Sequence, residues 1–292
     1  MPDLVMPDLV ADFEEHREHL RNLAYQMLGT LADAEDVVQE AFLRWRGTDR
    51  SQVRSPRAFL STTVTRLSID RRREIEARKE TYVGPWLPEP IVEMENSPSS
   101  RAETAESVSL ALLHVLESLS PAERAAYLLR VMFDYDYRDI AEILDKTETS
   151  CRQLVSRAQA HVQAQRPRFE ASSEEVQRIT DTFLAACATG DLEGLVHLLH
   201  EDAVMTSDGG GKVAAARVPV VGADRIARLF LGIFKKAPPQ SKFSPCRING
   251  RPGCAMYVAG KLDTVMAIEV EGDRIKRLFV IRNPDKLARA VP

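Results

Sequence analysis

A multidomain chain, all-helical at first and α+β at its end, is the fold class that this sequence of 292 residues predicts. Three observations lead there. Apolar residues recur at helical spacing as far as about Val162, and beyond Ala203 they come instead in short runs rich in Val and Ile. At the midpoint, two short amphipathic stretches flank a tight turn: residues 137–144 read as one helix, 145–147 as the turn and 148–162 as a second helix. That is the pattern of a helix-turn-helix.

Each element follows from its residues. Residues 12–28 carry Phe13, His16, Leu20, Leu23, Ala24 and Met27 on one face, Gly29 stops them, and a second helix spans 33–45. Ser55 and Pro56 place a capping side chain just before a proline at the first helical position. They open a third helix through Phe59, Val64, Leu67 and Ile69 that ends at Arg71, Arg72 and Arg73. Gly84, Pro85, Pro88, Pro90, Pro98 and the serines of 97–100 make 84–101 an irregular linker, and helix resumes near Thr104. Ser120, Pro121 and Glu123 repeat the cap and add the glutamate of a capping box, starting the helix that leads into the helix-turn-helix.

On the second helix of that pair, Cys151, Leu154, Val155 and Ala158 share the inner face. Thr149, Ser150, Arg152, Gln153, Ser156 and Arg157 then point outward, and these side chains suit guanine, adenine and phosphate oxygens. Past residue 172 the texture changes. A helix over 173–189 (Val176, Ile179, Phe183, Cys187) is capped by Gly190, and Leu192, Leu195, Leu198 and Leu199 line a shorter one. Strands are predicted at 203–206, 213–221, 255–261, 264–270 and 274–281, the last two joined by Glu271-Gly272-Asp273, with a helix at 223–235 between. Helices packed on one curved antiparallel sheet make an α+β cone.

Composition narrows the function classes. No apolar run approaches the roughly 20 residues needed to cross a bilayer, and the N-terminus is acidic, so a cytoplasmic chain with no membrane partner is expected. Cys151, Cys187, Cys246 and Cys254 lack CxxC spacing, which predicts buried thiols rather than disulfides or zinc ligands; no metal and no cofactor are expected. The net charge of -4 is unevenly spread: acidic over residues 1–48, basic over 54–79, acidic again over 80–118. A basic block between acidic ones fits a phosphate-contacting element beside surfaces meant for something else.

Three segments in order, GTLADAEDVVQEAFLRW (29–45), SPRAFLSTTVTRLSIDRRR (55–73) and the stretch 119–162 with its helix-turn-helix, resemble regions 2 and 4 of bacterial extracytoplasmic-function (ECF) sigma factors. The resemblance implies that the helix from Asp33 docks on the clamp of the polymerase largest subunit through Asp33, Asp36, Gln39, Glu40 and Arg44. It also implies that the third helix opens and reads the -10 promoter element. Thr62, Thr63, Thr65, Arg66, Ser68 and Asp70 are the polar positions available there, with Arg71, Arg72 and Arg73 on phosphates. Phe59 spaces inward, so any stacking platform for unpaired bases falls to the loop 46–53. The second helix of the midpoint pair resembles the -35 reader. Thr149 and Ser150 would anchor phosphates, while Arg152, Gln153, Ser156 and Arg157 would face the groove.

The C-terminal segment resembles the SnoaL-like branch of the nuclear-transport-factor-2-like (NTF2-like) superfamily. Three short motifs resemble signatures of the sigma subgroup that carries such a fused domain: Trp86-Leu87-Pro88-Glu89-Pro90, Asp208-Gly209-Gly210-Gly211-Lys212 and Asn283-Pro284-Asp285-Lys286-Leu287. Lys212 is expected to meet Glu89, fixing the linker to the domain. The resemblance divides the chain into a region 2 domain (10–80), a linker (81–103), a region 4 domain (104–167) and a regulatory domain (172–292).

Asp208, Lys212, Arg217, Asp263 and Arg282 are ionisable groups on or beside strands, but no spacing selects an acid–base pair, so no catalytic residue is assigned and no enzyme is expected. The expected function is a promoter-directing subunit of RNA polymerase, monomeric when free, tuned by its own C-terminal domain, with a small ligand there as a further possibility. An autonomous helix-turn-helix regulator and a DNA-tethered ligand-binding or cyclase-like enzyme remain the alternatives.

Overall fold

The computed structural model describes residues 6–49, 53, 55–94, 108–165 and 171–290. The chain forms two compact units: the residues up to Glu80 together with Val115–Ala164, and Thr81–His114 together with the chain from Gln165. This differs from the four-part division expected above. The two helical regions share one unit, and the linker belongs to the sheet domain.

In the first unit, α1 (Met6–Leu28), α2 (Leu31–Arg46) and α3 (Pro56–Glu80) bury the stripes that their spacing implies. Leu20, Leu23, Ala24 and Met27 of α1 and Val37, Val38, Ala41 and Trp45 of α2 are at most 2% exposed. Rings close the bundle, Phe13 on Phe42 at 4.8 Å and Trp45 on Phe59 at 5.6 Å between centroids. α3 runs past the arginines to Glu80 because residues 74–80 are strong helix formers without a breaker, and Ile75 extends its buried face.

α4 (Leu110–Leu116) is followed by α5 (Pro121–Tyr127), whose Ser120–Glu123 capping box forms as expected; the helix then widens into a π-helical turn over Leu128–Met132. α6 (Tyr137–Leu144) and α7 (Glu148–Gln165) are the helix-turn-helix. Asp145 ends α6 in the left-handed region (φ 53°), a conformation that Asp tolerates better than most residues. Helix resumption at Thr104 and the residues 50–52 of the candidate stacking loop lie outside the described residues.

A buried ion cluster crosses this unit. Arg72 of α3 and Arg124 of α5 are both 0% exposed, and both reach Glu117: Arg72 at 3.0 and 3.1 Å, Arg124 at 2.9 Å. Lys79 binds the same carboxylate. Burial alone would raise the Glu117 pKa, but Arg124, Arg72 and Lys79 outweigh it and hold the group far below its ordinary 4.5. Burial, helped by the two guanidinium charges, pushes Lys79 down to about 8.

The second unit is built on a seven-stranded sheet ordered β1-β4-β5-β6-β7-β2-β3. The strands are β1 (Val92–Met94), β2 (Leu199–Asp208), β3 (Val220–Val221), β4 (Ser241–Ile248), β5 (Arg251–Val258), β6 (Lys261–Glu271) and β7 (Arg274–Ile281). Its helices are α8 (Ser173–Thr189), α9 (Leu192–Leu198), α10 (Ala223–Lys235) and the short α11 (Pro284–Leu287). The sheet is mixed rather than antiparallel: β2 and β7 run parallel, since β3, α10 and β4 to β6 intervene between them in the chain and β7 arrives from the β6 hairpin. Of the strand expected at 213–221 only Val220–Val221 pairs, Pro219 just before it having no N–H to give.

Both faces of the sheet are covered. Met266, Ile268, Leu278 and Val280 face the core formed with α8, α9 and α10. Their neighbours Val265, Ala267, Phe279 and Ile281 face a second core with Leu87, Val92 and Leu110. Two-sided burial explains why 264–270 and 278–281 read as near-continuous apolar runs.

Candidate DNA-reading surfaces and a buried regulatory junction

α7 separates its faces as its sequence implies. Cys151, Leu154, Val155, Ala158 and Val162 are buried, whereas Thr149, Arg152, Gln153, Ser156 and Arg157 are exposed and Ser150 is half-buried. Thr147 caps the helix, its Oγ1 accepting from Ser150 N at 3.2 Å. Arg152 is held by Glu148 at 2.9 Å and lies 4.8 Å from the Tyr137 ring centroid, and Arg157 sits 3.4 Å from Glu123. These are exposed pairs of small worth.

α3 departs from expectation. Thr65, Ser68 and Arg72 are 0% exposed, so three of the nine positions assigned to the -10 element face the protein interior. The reason is phase: 61, 64, 65, 68, 72 and 75 fall on one stripe, and Arg72 finds its counter-charge in Glu117, far away in sequence. Thr62 and Thr63 are half-buried, with hydroxyls donating to Ala58 O and Phe59 O. Asp70 and Arg73 are exposed and paired at 2.9 Å, and Arg71 contacts Glu74 at 3.1 Å. Arg66 does something else: its Nε and Nη2 donate to Ile143 O and Glu142 O, each at 2.9 Å, at the end of α6. It neutralises the last carbonyls of a helix-turn-helix helix.

On α2, Asp36, Gln39 and Arg44 are exposed, and Glu40 holds Arg44 at 2.6 Å. Asp33 is 7% exposed, accepts from Thr30 Oγ1 at 2.6 Å and from Arg78 at 3.0 Å, and so belongs to the fold rather than to the outer face. Sequence reasoning missed Leu43, a leucine 57% exposed on this polar face; its place outside the apolar stripe was the available signal.

In the sheet unit, the three short motifs converge on one carboxylate. Asp208, 0% exposed at the end of β2, accepts through Oδ2 from Leu87 N at 2.9 Å and Lys286 Nζ at 2.7 Å. Its Oδ1 accepts from Tyr82 OH at 2.5 Å and Gly210 N at 3.1 Å. Lys286 also donates to Leu87 O and lies 3.7 Å from the centroid of the Trp86 ring. Asn283 caps α11, accepting from Asp285 N, and donates to Tyr82 OH at 2.8 Å. Burial and the neighbouring Asp208 push the Tyr82 pKa upward, which keeps the phenol a donor.

The turn after Asp208 requires glycine. Gly210 has φ +62°, and a Cβ there would stand 2.5 Å from the Asn283 side chain. Leu87 is fully buried and Glu89 7% exposed, so this part of the irregular linker is docked on the sheet domain, and Val92–Met94 continues it as an edge strand on β4. Pro88 and Pro90 are buried as well. The expected Lys212–Glu89 pair is not formed: Lys212 bridges exposed Asp285 at 2.5 Å, and Lys286 is the buried lysine. Pro284, Leu287, Gly209 and Gly211 shape these turns. Tyr82, which carries two of the bonds, was not foreseen from the sequence.

α8, α10 and the sheet border an open cavity of about 720 Å³, lined among others by Met205, Phe230, Phe234, Phe243, Met266 and Arg282. No helix among the described residues is long and apolar enough to cross a membrane.

Comparison with known proteins agrees with this arrangement. Residues 13–78 match the sigma-70 region 2 family and residues 109–162 the sigma-70 region 4 family. The chain is 37% identical to the ECF RNA polymerase sigma factor SigJ of Mycobacterium tuberculosis over 95% of its own length and 92% of that protein's. To the probable ECF RNA polymerase sigma factor SigI of the same species it is 30% identical, over 95% and 94% of the two chains. The crystal structure of Mycobacterium tuberculosis SigJ superposes with a TM-score of 0.78 at 34% identity, covering 97% of this chain and 99% of the other. With two sigma regions in order and relatives matched over nearly their whole length, the chain belongs to the extracytoplasmic-function RNA polymerase sigma factors, and here a sheet domain follows the two sigma regions.

Proposed function

We propose that this sigma factor divides its work among four surfaces. The outer face of α2, formed by Asp36, Gln39, Glu40, Leu43 and Arg44, engages the clamp of core RNA polymerase. The rim of α3, Thr62, Thr63, Asp70, Arg71 and Arg73, meets the -10 element, joined by Arg66 once its bonds to the α6 carbonyls are given up. The outer face of α7 enters the major groove at -35, with Arg152 and Gln153 on base edges and Thr149, Ser150, Ser156 and Arg157 towards phosphates. The fourth surface is the Asp208 junction, through which the C-terminal domain holds the segment that links regions 2 and 4.

The observation that carries this regulatory role is the burial of Asp208 with four donors, one from each of two distant motifs, one from its own turn and one from Tyr82. A fully bonded carboxylate of this kind specifies one docked arrangement of residues 82–90. Regulation is favoured over catalysis by the cavity wall. Its ionisable groups are Arg228, Lys236, Arg282 and the Cys254 thiol, which burial keeps protonated, with no carboxylate or imidazole among the lining residues.

Reconstituted transcription tests the proposal. Core polymerase with the full chain should start at a cognate promoter, and Asp208→Ala should change the output while binding to core persists. Unchanged output from Asp208→Ala would remove the regulatory role; absence of any core-dependent initiation would remove the surface assignments.

A further inference from the structure

The guanidinium of Arg152 is gripped from two elements at once. Glu148, one turn earlier on α7, takes Nη2 at its edge, at 2.9 Å. Tyr137, the first residue of α6, covers its face: Cζ stands 4.8 Å from the ring centroid, inside the ~6 Å reach of a cation–π contact. The same ring lies 5.3 Å from Cζ of Arg130 in the π-helical turn, and Arg130 is itself tied down by Tyr135 O at 3.0 Å and Asp134 at 3.2 Å. Two guanidinium groups therefore share one aromatic ring, and the second is fixed to the backbone. Arg157, the other arginine of α7, has Glu123 at 3.4 Å and no ring contact among the described residues.

The two grips on Arg152 differ in what they consume. Reading guanine O6 and N7 takes two N–H groups lying in one plane along the base edge, so the plane of the fork matters as much as its reach. The Glu148 pair uses an N–H that a base would need, and both of its ends are exposed, at 54% and 46%. The ring uses only the face of the guanidinium and leaves all five in-plane donors available, so this contact can persist in the groove. Tyr137 is half-buried at the head of α6, and the helix is fixed by Ile140 and Ile143, which are 0% and 3% exposed.

We infer that Tyr137 determines specificity at the -35 element as a positioning residue: it reads no base itself and holds the Arg152 fork in the plane that a guanine edge requires. An arginine released from the ring can swing to other acceptors, so wrong bases gain as the right one loses. The inference rests on the proposed role of Arg152 as a base reader and concerns what sets that reading.

Transcription by core polymerase reconstituted with the full chain, on promoters randomised across the -35 element, is the test. Arg152→Ala should flatten the base preference at its position by about five- to 150-fold. Tyr137→Leu and Tyr137→Met, which keep apolar bulk without a π face, should flatten the same position by about two- to fivefold and leave the other -35 positions unchanged. Tyr137→Phe retains the ring face and should retain the preference. Arg152→Ala combined with Tyr137→Leu should be no flatter than Arg152→Ala alone. A loss of folded protein lowers all promoters together and does not imitate this pattern. The inference is overturned if the leucine and methionine variants keep the native preference or weaken every promoter alike. It is also overturned if Tyr137→Phe loses as much as they do, which would make the hydroxyl the active group, or if the double variant is flatter than Arg152→Ala. An Arg152→Ala variant that changes no position would remove the base-reading assignment itself, and the inference with it.

Discussion

Lys286 Nζ stands 2.7 Å from Asp208 Oδ2 in a site where the two side chains are 4% and 0% exposed. Removing one partner of a buried pair leaves the other charge uncompensated, at about 3–5 kcal/mol, whereas removing both restores neutrality. Asp208→Asn and Lys286→Met should therefore each lower the unfolding free energy of the sheet unit, and the double variant should lose less than their sum. Denaturant melts of the four proteins measure this. Strict additivity would mean that the two groups are not coupled.

A second prediction links the linker to the glycine turn. Trp86 covers the Lys286 ammonium, and any side chain at Gly210 must push Asn283 away from Tyr82. Trp86→Ala and Gly210→Asp should thus shift promoter output in the same direction, and together no further than the stronger single. Output from the double variant equal to the sum of the singles would show two independent effects, and normal output from a chain truncated before Glu174 would show that the domain does not communicate at all.

The arginine run of α3 divides in a way that affinity and stability measurements can separate. Arg73 is exposed, so Arg73→Ala should weaken all promoters alike and reduce the salt dependence by about one counterion. Arg72 is enclosed with Glu117, so Arg72→Ala should instead destabilise the helical unit by about 3–5 kcal/mol. Arg152→Ala or Gln153→Ala should cost about 1–3 kcal/mol only at particular -35 positions. A uniform loss across a promoter library for Gln153→Ala would remove it from the readers.

How far the sequence disclosed these outcomes depends on whether the governing contact is local. The faces of α7, the Ser120 capping box, the helix-turn-helix boundaries and the β6–β7 hairpin are set by spacing and turn residues within a few positions, and they were legible. Arg72 was not, because three consecutive arginines look alike until Glu117 selects one of them. Phase alone placed 68, 72 and 75 on one stripe, a signal outweighed by the usual exposure of arginine. β1 and β4 hid for a related reason: an acidic, proline-rich segment and a strand interrupted by Pro245 acquire their order from a partner strand, not from their own pattern. The three short motifs around Asp208 were visible as motifs, yet Lys286 rather than Lys212 is the buried lysine, and Tyr82 carried no sequence mark.

The ion cluster of the helical unit predicts a pH dependence. Glu117 has its pKa held below the ordinary 4.5 in the folded protein, so its contribution is complete above that value and is lost as pH falls from there towards the lower folded value. The difference in melting temperature between the native chain and Glu117→Gln should be largest near neutral pH and shrink in acid below 4.5. Lys79 acts in the opposite range: with a folded pKa of about 8 against 10.5, its burial penalty is present below 8 and relieved as pH rises between the two. A Glu117→Gln difference that stayed constant down through the acid range would show the carboxylate to be unimportant to folding.

The assignment of two DNA-reading surfaces to one polymerase subunit is tested most directly by promoter binding of the purified full chain with and without core RNA polymerase. A single recognition helix and one -10 helix each bury too little surface to hold a promoter tightly, so the free chain should bind duplex weakly and with little sequence preference. Adding core should produce tight, sequence-specific binding and strand opening at -10. Equally tight and specific binding by the chain without polymerase, unaffected by added core, would contradict the account.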